Sequence, residues 1–277
     1  MAVRHCMHKN HTHLVRGGTT GLLEKASIWE AELMQQATQD LAPLCAQLQN
    51  DATLRVMLNL LMPELSLQSQ AIKLQYNAGG GGCFPMHFDT DAAVDTRRVT
   101  AIWYLNPGWQ PGHGGELRLY PFPQPAVDIA PLNDRLVLFS STDMLHRVLP
   151  SSRERCCFTI WLSEGLRRRA GASVAAEEQA AARAELQRAL SRTQPLDGEE
   201  AWRLILHPHI RHHAAKLRHC AEWEQSVRES HPQGPQLQVA LDTFTAEVAV
   251  VARALAPLLP ALAAGLPPEH MPRRSWF

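Results

Sequence analysis

The sequence predicts an α+β protein: a double-stranded β-helix, or jelly roll, preceded by supporting helices and followed by a helical extension. Three observations carry this reading. Between residues 66 and 165, about eight short alternating or apolar runs are separated by turn residues, the pattern of a two-sheet antiparallel fold. Residues 21–62 carry apolar side chains at three- and four-residue steps. Beyond Gly165 the composition turns rich in alanine and glutamate, with strong helix propensity. Four segments are therefore expected: a disordered N-terminus over 1–20, supporting helices over 21–65, a β-domain over 66–165 and a helical region over 166–277.

Bulk properties narrow the function. The 277 residues carry 27 Lys+Arg against 27 Asp+Glu, a formal charge of zero. Nothing in that balance favours nucleic acid or an anionic membrane as a partner. The six cysteines show no framework spacing, which points to a reducing compartment, cytoplasmic or nuclear. The N-terminus lacks an apolar core for a secretory signal. It is free of acidic residues before Glu24, as organelle transit peptides are, but lacks their serine content, so organelle targeting stays open. No run approaches the ~18 apolar residues of a membrane span.

Taken in order, residues 1–20 hold His5, Cys6, His8, His11 and His13, whose spacing fits no closed zinc pattern; they read as a polar tail. Leu22, Ala26, Trp29, Leu33, Ala37 and Leu41 recur at helical steps, and Pro43 ends or kinks that helix. A second helix runs from Asp51 to Pro63. Ser66–Asn77 opens the sheet, with Ile72, Leu74 and Tyr76 alternating with Lys73, Gln75 and Asn77. Gly79–Gly82 are costly to order, so a mobile lid or a plain loop is expected there. Val99–Asn106 alternates, with Arg98, Thr100, Ile102 and Tyr104 on one face. A turn over Asn106–Gly115 leads to strands at Gly115–Tyr120, Ala126–Ala130 and Leu136–Ser140, then to one carrying His146 and one beginning at Arg155. Helices follow at Val174–Arg192, Gly198–Ser230 (interrupted at Pro208) and Leu237–Leu255. The histidines at 207, 209, 212, 213 and 219 have no carboxylate or cysteine at metal spacing and read as a solvated face. This region either packs on the β-domain or binds a protein partner.

The chemistry lies in His87-Phe88-Asp89 and the distant His146. Two imidazoles and one carboxylate are the donors of a non-haem Fe(II) oxygenase, which leaves positions open for co-substrate and dioxygen. Alternate side chains at a strand end point the same way, so His87 and Asp89 can share an ion. Arg155 opens the apolar run Cys156–Leu162. A cation at the mouth of a buried strand needs an anion, and a dicarboxylate reaching from the metal would supply it.

Over roughly residues 70–165 the chain resembles the 2-oxoglutarate- and Fe(II)-dependent prolyl 4-hydroxylase domain, above all its intracellular, oxygen-sensing branch. The resemblance rests on Tyr76 with the glycine-rich loop, His87-x-Asp89, Arg97-Arg98-Val99-Thr100, Trp103-Tyr104-Leu105-Asn106, Gly114-Gly115-Glu116-Leu117-Arg118, Asp134-Arg135-Leu136, His146 and Arg155…Trp161. It implies Fe(2+) held by His87, Asp89 and His146, which with Arg155 form the catalytic set. It implies 2-oxoglutarate held by Arg155 and Tyr104, with Tyr76 and Thr159 as further contacts. Arg97 and Trp161 match positions that meet the target proline and its peptide. Dioxygen is the second co-substrate and L-ascorbate a supporting reductant. One departure stands out: the oxygen-sensing enzymes carry a tyrosine three residues before the first histidine, where it helps hold an iron-bound water. Phe84 cannot donate that hydrogen bond, so oxygen handling or substrate choice should differ.

The leading expectation is a peptidyl-proline 4-hydroxylase. A 2-oxoglutarate oxygenase acting on another protein side chain or a small molecule is the alternative, followed by a catalytically silent interaction domain. The intact His87, Asp89, His146 and Arg155 argue against silence.

Overall fold

The computed structural model describes residues 2–16, 19–90, 95–165, 184, 187–191, 196–267 and 271. Eight strands of the expected β-domain are present: β3 (Leu67–Asn77), β4 (Gly82–His87), β5 (Arg97–Tyr104), β6 (Leu117–Tyr120), β7 (Val127–Ile129), β8 (Leu136–Ser140), β9 (Leu145–Ser151) and β10 (Arg155–Glu164). Two more precede them, β1 (His8–Arg16) and β2 (Thr19–Glu32). All pairings are antiparallel, in a major sheet ordered β1-β2-β3-β10-β5-β8 and a minor sheet ordered β4-β9-β6-β7. This is the expected jelly roll.

The major sheet is covered on both faces, which explains why β10 reads as an almost unbroken apolar run. Ile160 and Leu162, with Ile72 and Leu74 of β3, pack beneath helices α2 (Pro43–Asn50) and α3 (Thr53–Leu61), and α1 (Gln36–Leu41) packs against α2. On the other face, Ile102, Tyr104, Phe139 and Cys157 meet Leu117, Leu119 and Val148 of the minor sheet.

The N-terminal segment corrects the sequence reading. Strands β1 and β2 pair as a hairpin that extends the major sheet, with Trp29 opposite Tyr76, and supporting helices begin only at Gln36. The helical stripe misled because, apart from Leu33, its members are not the buried ones. Leu22 is 53% exposed and Ala26 is exposed, while Leu23, Lys25, Ile28 and Glu30 are buried. The strand alternation is hidden by polar residues on its inner face and by a register shift opposite Lys9–His11. Those polar groups satisfy one another: Asn10 Nδ2 donates to Glu30 Oε2 at 2.5 Å, and Lys73 Nζ lies 3.0 Å from Glu30 Oε1.

The glycine segment is a fastened turn that carries the chain from one sheet to the other. Gly79, Gly80 and Gly81 all take positive φ, open to glycine without strain. Gly81 N donates to Ser151 O at 2.8 Å, and the Asn77 side chain ties Gly79 N to Gly82 O.

Beyond residue 165 lie α4 (Gly198–Ile205), α5 (Pro208–Arg218), α6 (Cys220–Ser230), α7 (Pro235–Ala254) and α8 (Leu259–Ala264). The helix expected at 174–192 falls almost wholly outside the described residues. The 198–230 segment breaks at Pro208, as expected, and also at His219. These helices cover the outer face of the minor sheet, where Met86, Tyr120 and Leu145 pack with Trp202, Ile205 and Ile210. Polar ties fix the docking. Tyr120 Oη donates to Glu222 at 2.5 Å, Arg118 Nη1 to the same carboxylate at 3.0 Å, and Arg147 pairs with Glu229. No single helix among the described residues is long and apolar enough to cross a membrane; α7 and the stretch Ala256–Ala264 pass together, but bent by 76°.

The backbone N–H of Met86, one residue before His87, donates to Ser226 Oγ at 2.9 Å, and Ser226 is fully buried. Ser226→Ala leaves that N–H unpaired. Urea denaturation of the variant should show a loss of about 1–3 kcal/mol.

Candidate metal centre

Strands β4 and β9 are neighbours, and their register sets His87 directly opposite His146. Opposed residues on adjacent strands project to the same face, and the two rings lie 4.3 Å apart between centroids. Asp89 follows two residues after His87, just past the end of β4. Its Oδ1 is 3.5 Å from His87 Nε2 and 3.8 Å from His146 Nε2. One ligand atom from each residue falls within 4.8 Å of the others.

The surrounding groups prepare these donors. His87 Nδ1 lies 2.8 Å from Pro85 O, and His146 Nδ1 3.0 Å from Met144 O. A carbonyl accepts only from N–H, so each imidazole keeps its Nε2 lone pair free for a metal. Thr100 Oγ1 donates to Asp89 Oδ2 and also meets Ser141 Oγ at 2.7 Å. Burial pushes the His146 pKa down to about 4, helped by the charge of His87. For Asp89, burial works to raise the pKa, but while the His146 and His87 rings carry protons their charge, with hydrogen bonds from His87 and Thr100, outweighs it and holds the carboxyl well below the usual range. A neutral His146 and an anionic Asp89 are the states that ligation requires. Two nitrogens and one oxygen converging on one point, with His87 36% exposed on the open side, fit a six-coordinate ferrous ion with free positions.

Across the cavity, Arg155 begins β10 and is 2% exposed. Its Nε donates to Gly115 O at 2.9 Å. Gly115 takes φ of +78°, and a Cβ there would stand 3.0 Å from Arg155 Cδ, so only glycine lets the guanidinium lie here. The guanidinium carbon sits 5.0 Å from the Tyr104 ring centroid. Arg155 Nη2 and Tyr104 Oη are both buried without a hydrogen-bond partner. Burial raises the Tyr104 pKa to about 12, so the phenol stays protonated and able to donate. Two orphan donors side by side are costly unless an anion fills the gap, and the distal carboxylate of 2-oxoglutarate has the shape and charge to do so.

The other expected residues divide. Thr159 lines the cavity and donates to Gln75 Oε1 at 3.0 Å. Trp161 lines it too, with Arg97 stacked 5.1 Å from a ring centroid and steadied by Asp95 at 2.6 Å. Strict alternation would turn Arg97 away from Thr100; a register shift between β10 and β5 brings both into the cavity wall. Tyr76 does not take part. It pairs with Cys156, on the opposite face from Arg155 and Thr159, and its hydroxyl donates to Glu154 at 2.5 Å and accepts from Arg4 at 3.1 Å. Its neighbour Gln75 occupies the cavity side instead.

Sequence reasoning also missed half of the wall. The cavity encloses about 730 Å³ and is lined by Lys25 and Glu30 of the hairpin and by Lys216, Trp223 and Phe244 of the C-terminal helices. Lys25 and Glu30 are charged and yet buried, which nothing in the sequence around them marks.

Residues 72–163 match the model of the 2OG-Fe(II) oxygenase superfamily. Among solved structures, a prolyl 4-hydroxylase from Phytophthora capsici is 31% identical, with 86% of this chain and 78% of that one aligned at a TM-score of 0.64. A Pseudomonas putida prolyl-4-hydroxylase is 28% identical over 50% of this chain and 72% of its own, at 0.41. A prolyl hydroxylase from Trichoplax adhaerens, in complex with a hypoxia inducible factor peptide fragment, is 23% identical over 56% and 70%, at 0.44.

The two tyrosine placements and the arginine give a contrast. Arg155→Gln should raise the KM for 2-oxoglutarate by about 10–100-fold. Tyr76→Phe should leave that KM within about twofold and lower the Tm instead. Succinate formation at varied 2-oxoglutarate separates the two.

Proposed function

Because the chain belongs to the prolyl 4-hydroxylase family of 2-oxoglutarate- and Fe(II)-dependent oxygenases, we propose that it hydroxylates a prolyl residue in a peptide or protein. The observation that carries this reading is the Trp161–Arg97 pair on the wall of the cavity that holds the His87, Asp89 and His146 donors. The indole face suits a pyrrolidine ring, and the guanidinium beside it suits the carbonyls that flank the ring.

When bound, Fe(2+) with 2-oxoglutarate and dioxygen supplies the oxidant for C–H hydroxylation, with succinate and carbon dioxide as co-products. The protein's part is placement. His87, Asp89 and His146 hold the metal, and Thr100 keeps the Asp89 carboxylate turned toward it. Arg155 and Tyr104 clamp the distal carboxylate, which fixes the co-substrate's orientation. Ile102, Leu117 and Val148 make the surrounding wall apolar and exclude water. Phe84 stands on the same wall where the oxygen-sensing enzymes have a tyrosine, and it offers no hydrogen bond to a metal-bound water.

The C-terminal helices turn Trp223 and Phe244 into the cavity, which favours a substrate-binding role for them over a docking surface for a protein partner. All six cysteines are free thiols, and that supports a reducing compartment, cytoplasm or nucleus, as the site of action.

The test is mass spectrometry of proteins from cells with and without the gene. The expected result is one added oxygen on particular prolines, present only with the gene. Unchanged prolines with another side chain oxidised would replace this reading with a 2-oxoglutarate oxygenase of different target. In vitro, Trp161→Ala should lower peptide-stimulated succinate formation about tenfold or more while sparing the slow peptide-independent turnover.

A further inference from the structure

Lys25 is 5% exposed, lies on β2 and lines the cavity. Its Nζ donates to Asn10 Oδ1 and sits 5.2 Å from the Phe84 ring centroid. No carboxylate among the described residues comes within ion-pair distance of it. The nearby acid, Glu30, is already engaged by Asn10 at 2.5 Å, by Lys73 at 3.0 Å and by His8 at 3.5 Å. Burial lowers the Lys25 pKa to about 8, so the amine is still largely charged at neutral pH. A buried ammonium without an anion is unfavourable, and this one faces open space.

The position is separate from the co-substrate clamp. Arg155 stands opposite Asn77, and Asn77 opposite Ile28, so Lys25 lies two strands across the sheet and three residues beyond that row. Apart from Phe84, the wall here is built largely by segments outside residues 72–163. Leu23 packs with Leu237, Ala240 and Leu241 of α7, and Thr12 Oγ1 meets His231 Nε2 at 2.9 Å. Both ends of the chain thus close around the lysine.

We propose that Lys25 anchors a carboxylate subsite, and that the substrate places an acidic group there while its proline lies at the metal. The carboxylate is either the side chain of an Asp or Glu near the proline or the end of a peptide chain. Asn10 holds the amine in place, and the Phe84 ring supports it where the oxygen-sensing enzymes have a phenol. The identity of the rest of the substrate rests on the prolyl reading above.

The probes are short acetylated prolyl peptides in matched pairs: Asp against Asn beside the proline, and a free C-terminal carboxylate against an amide. Binding to the Fe(II)- and 2-oxoglutarate-loaded enzyme under argon is followed by the fluorescence of the cavity tryptophans, and turnover is then read in air. One acidic form should bind about tenfold or more tightly than its neutral match, and which pair shows the difference tells the source of the carboxylate. Lys25→Met should erase the difference, Lys25→Arg should keep part of it, and the KM for 2-oxoglutarate should stay within about twofold in both. Acidic and neutral forms behaving alike in the unaltered enzyme, or a preference that survives Lys25→Met, would overturn the proposal. A preference lost with Lys25→Met while no peptide gains oxygen would sustain the subsite and remove the prolyl reading.

Discussion

The antiparallel pairing of β4 with β9 is the constraint on which the site depends. It sets two imidazoles from distant points of the chain opposite each other, and Asp89 needs only to turn in at the end of β4 to join them. Neither strand is free to slip. A one-residue shift would send one histidine to the far face, and the carbonyls of Pro85 and Met144 that orient the rings would move with it. The ligands are therefore placed by the sheet itself, with short hydrogen bonds completing the aim.

The layers outside the two sheets hold that pairing in place. Helices α2 and α3 cover the major sheet, and the C-terminal helices cover the minor one, reaching to the backbone of Met86 beside His87. The additions do more than support. They wall the cavity with charged and aromatic side chains that the jelly roll alone does not provide. A common catalytic core with variable surrounding segments is how one chemistry serves different substrates.

Much of this was legible in the residues. Short alternating or apolar runs divided by turn residues located the β-domain, and the His87-Phe88-Asp89 pair with His146 and Arg155 announced its chemistry through residue type alone. The rest was hidden for physical reasons. The N-terminal hairpin buries Lys25, Glu30 and Asn10 on its inner face, so its strands lack the apolar alternation that betrays a sheet, and chance spacing of Leu22, Ala26 and Trp29 mimicked a helix. Tyr76 aligned with a family position yet points away, because parity along β3 gives Gln75 the cavity side. Arg97 entered the cavity only through an irregularity in the register, which no periodicity foretells. The cavity role of Trp223 and Phe244 is a tertiary fact: nothing local marks a helix as a wall for a site formed by distant strands.

The central claim is that His87, Asp89 and His146 bind one ferrous ion, and that 2-oxoglutarate spans from it to Arg155. Anaerobic visible spectroscopy reads this directly, because a keto acid chelating Fe(II) gives a charge-transfer band that neither component shows alone. Addition of 2-oxoglutarate to the Fe(II)-loaded protein should produce the band; His146→Ala should abolish it, and Arg155→Gln should shift its half-saturation to about 10–100-fold higher concentration. An undiminished band in His146→Ala, or one that saturates identically in Arg155→Gln, would contradict the account.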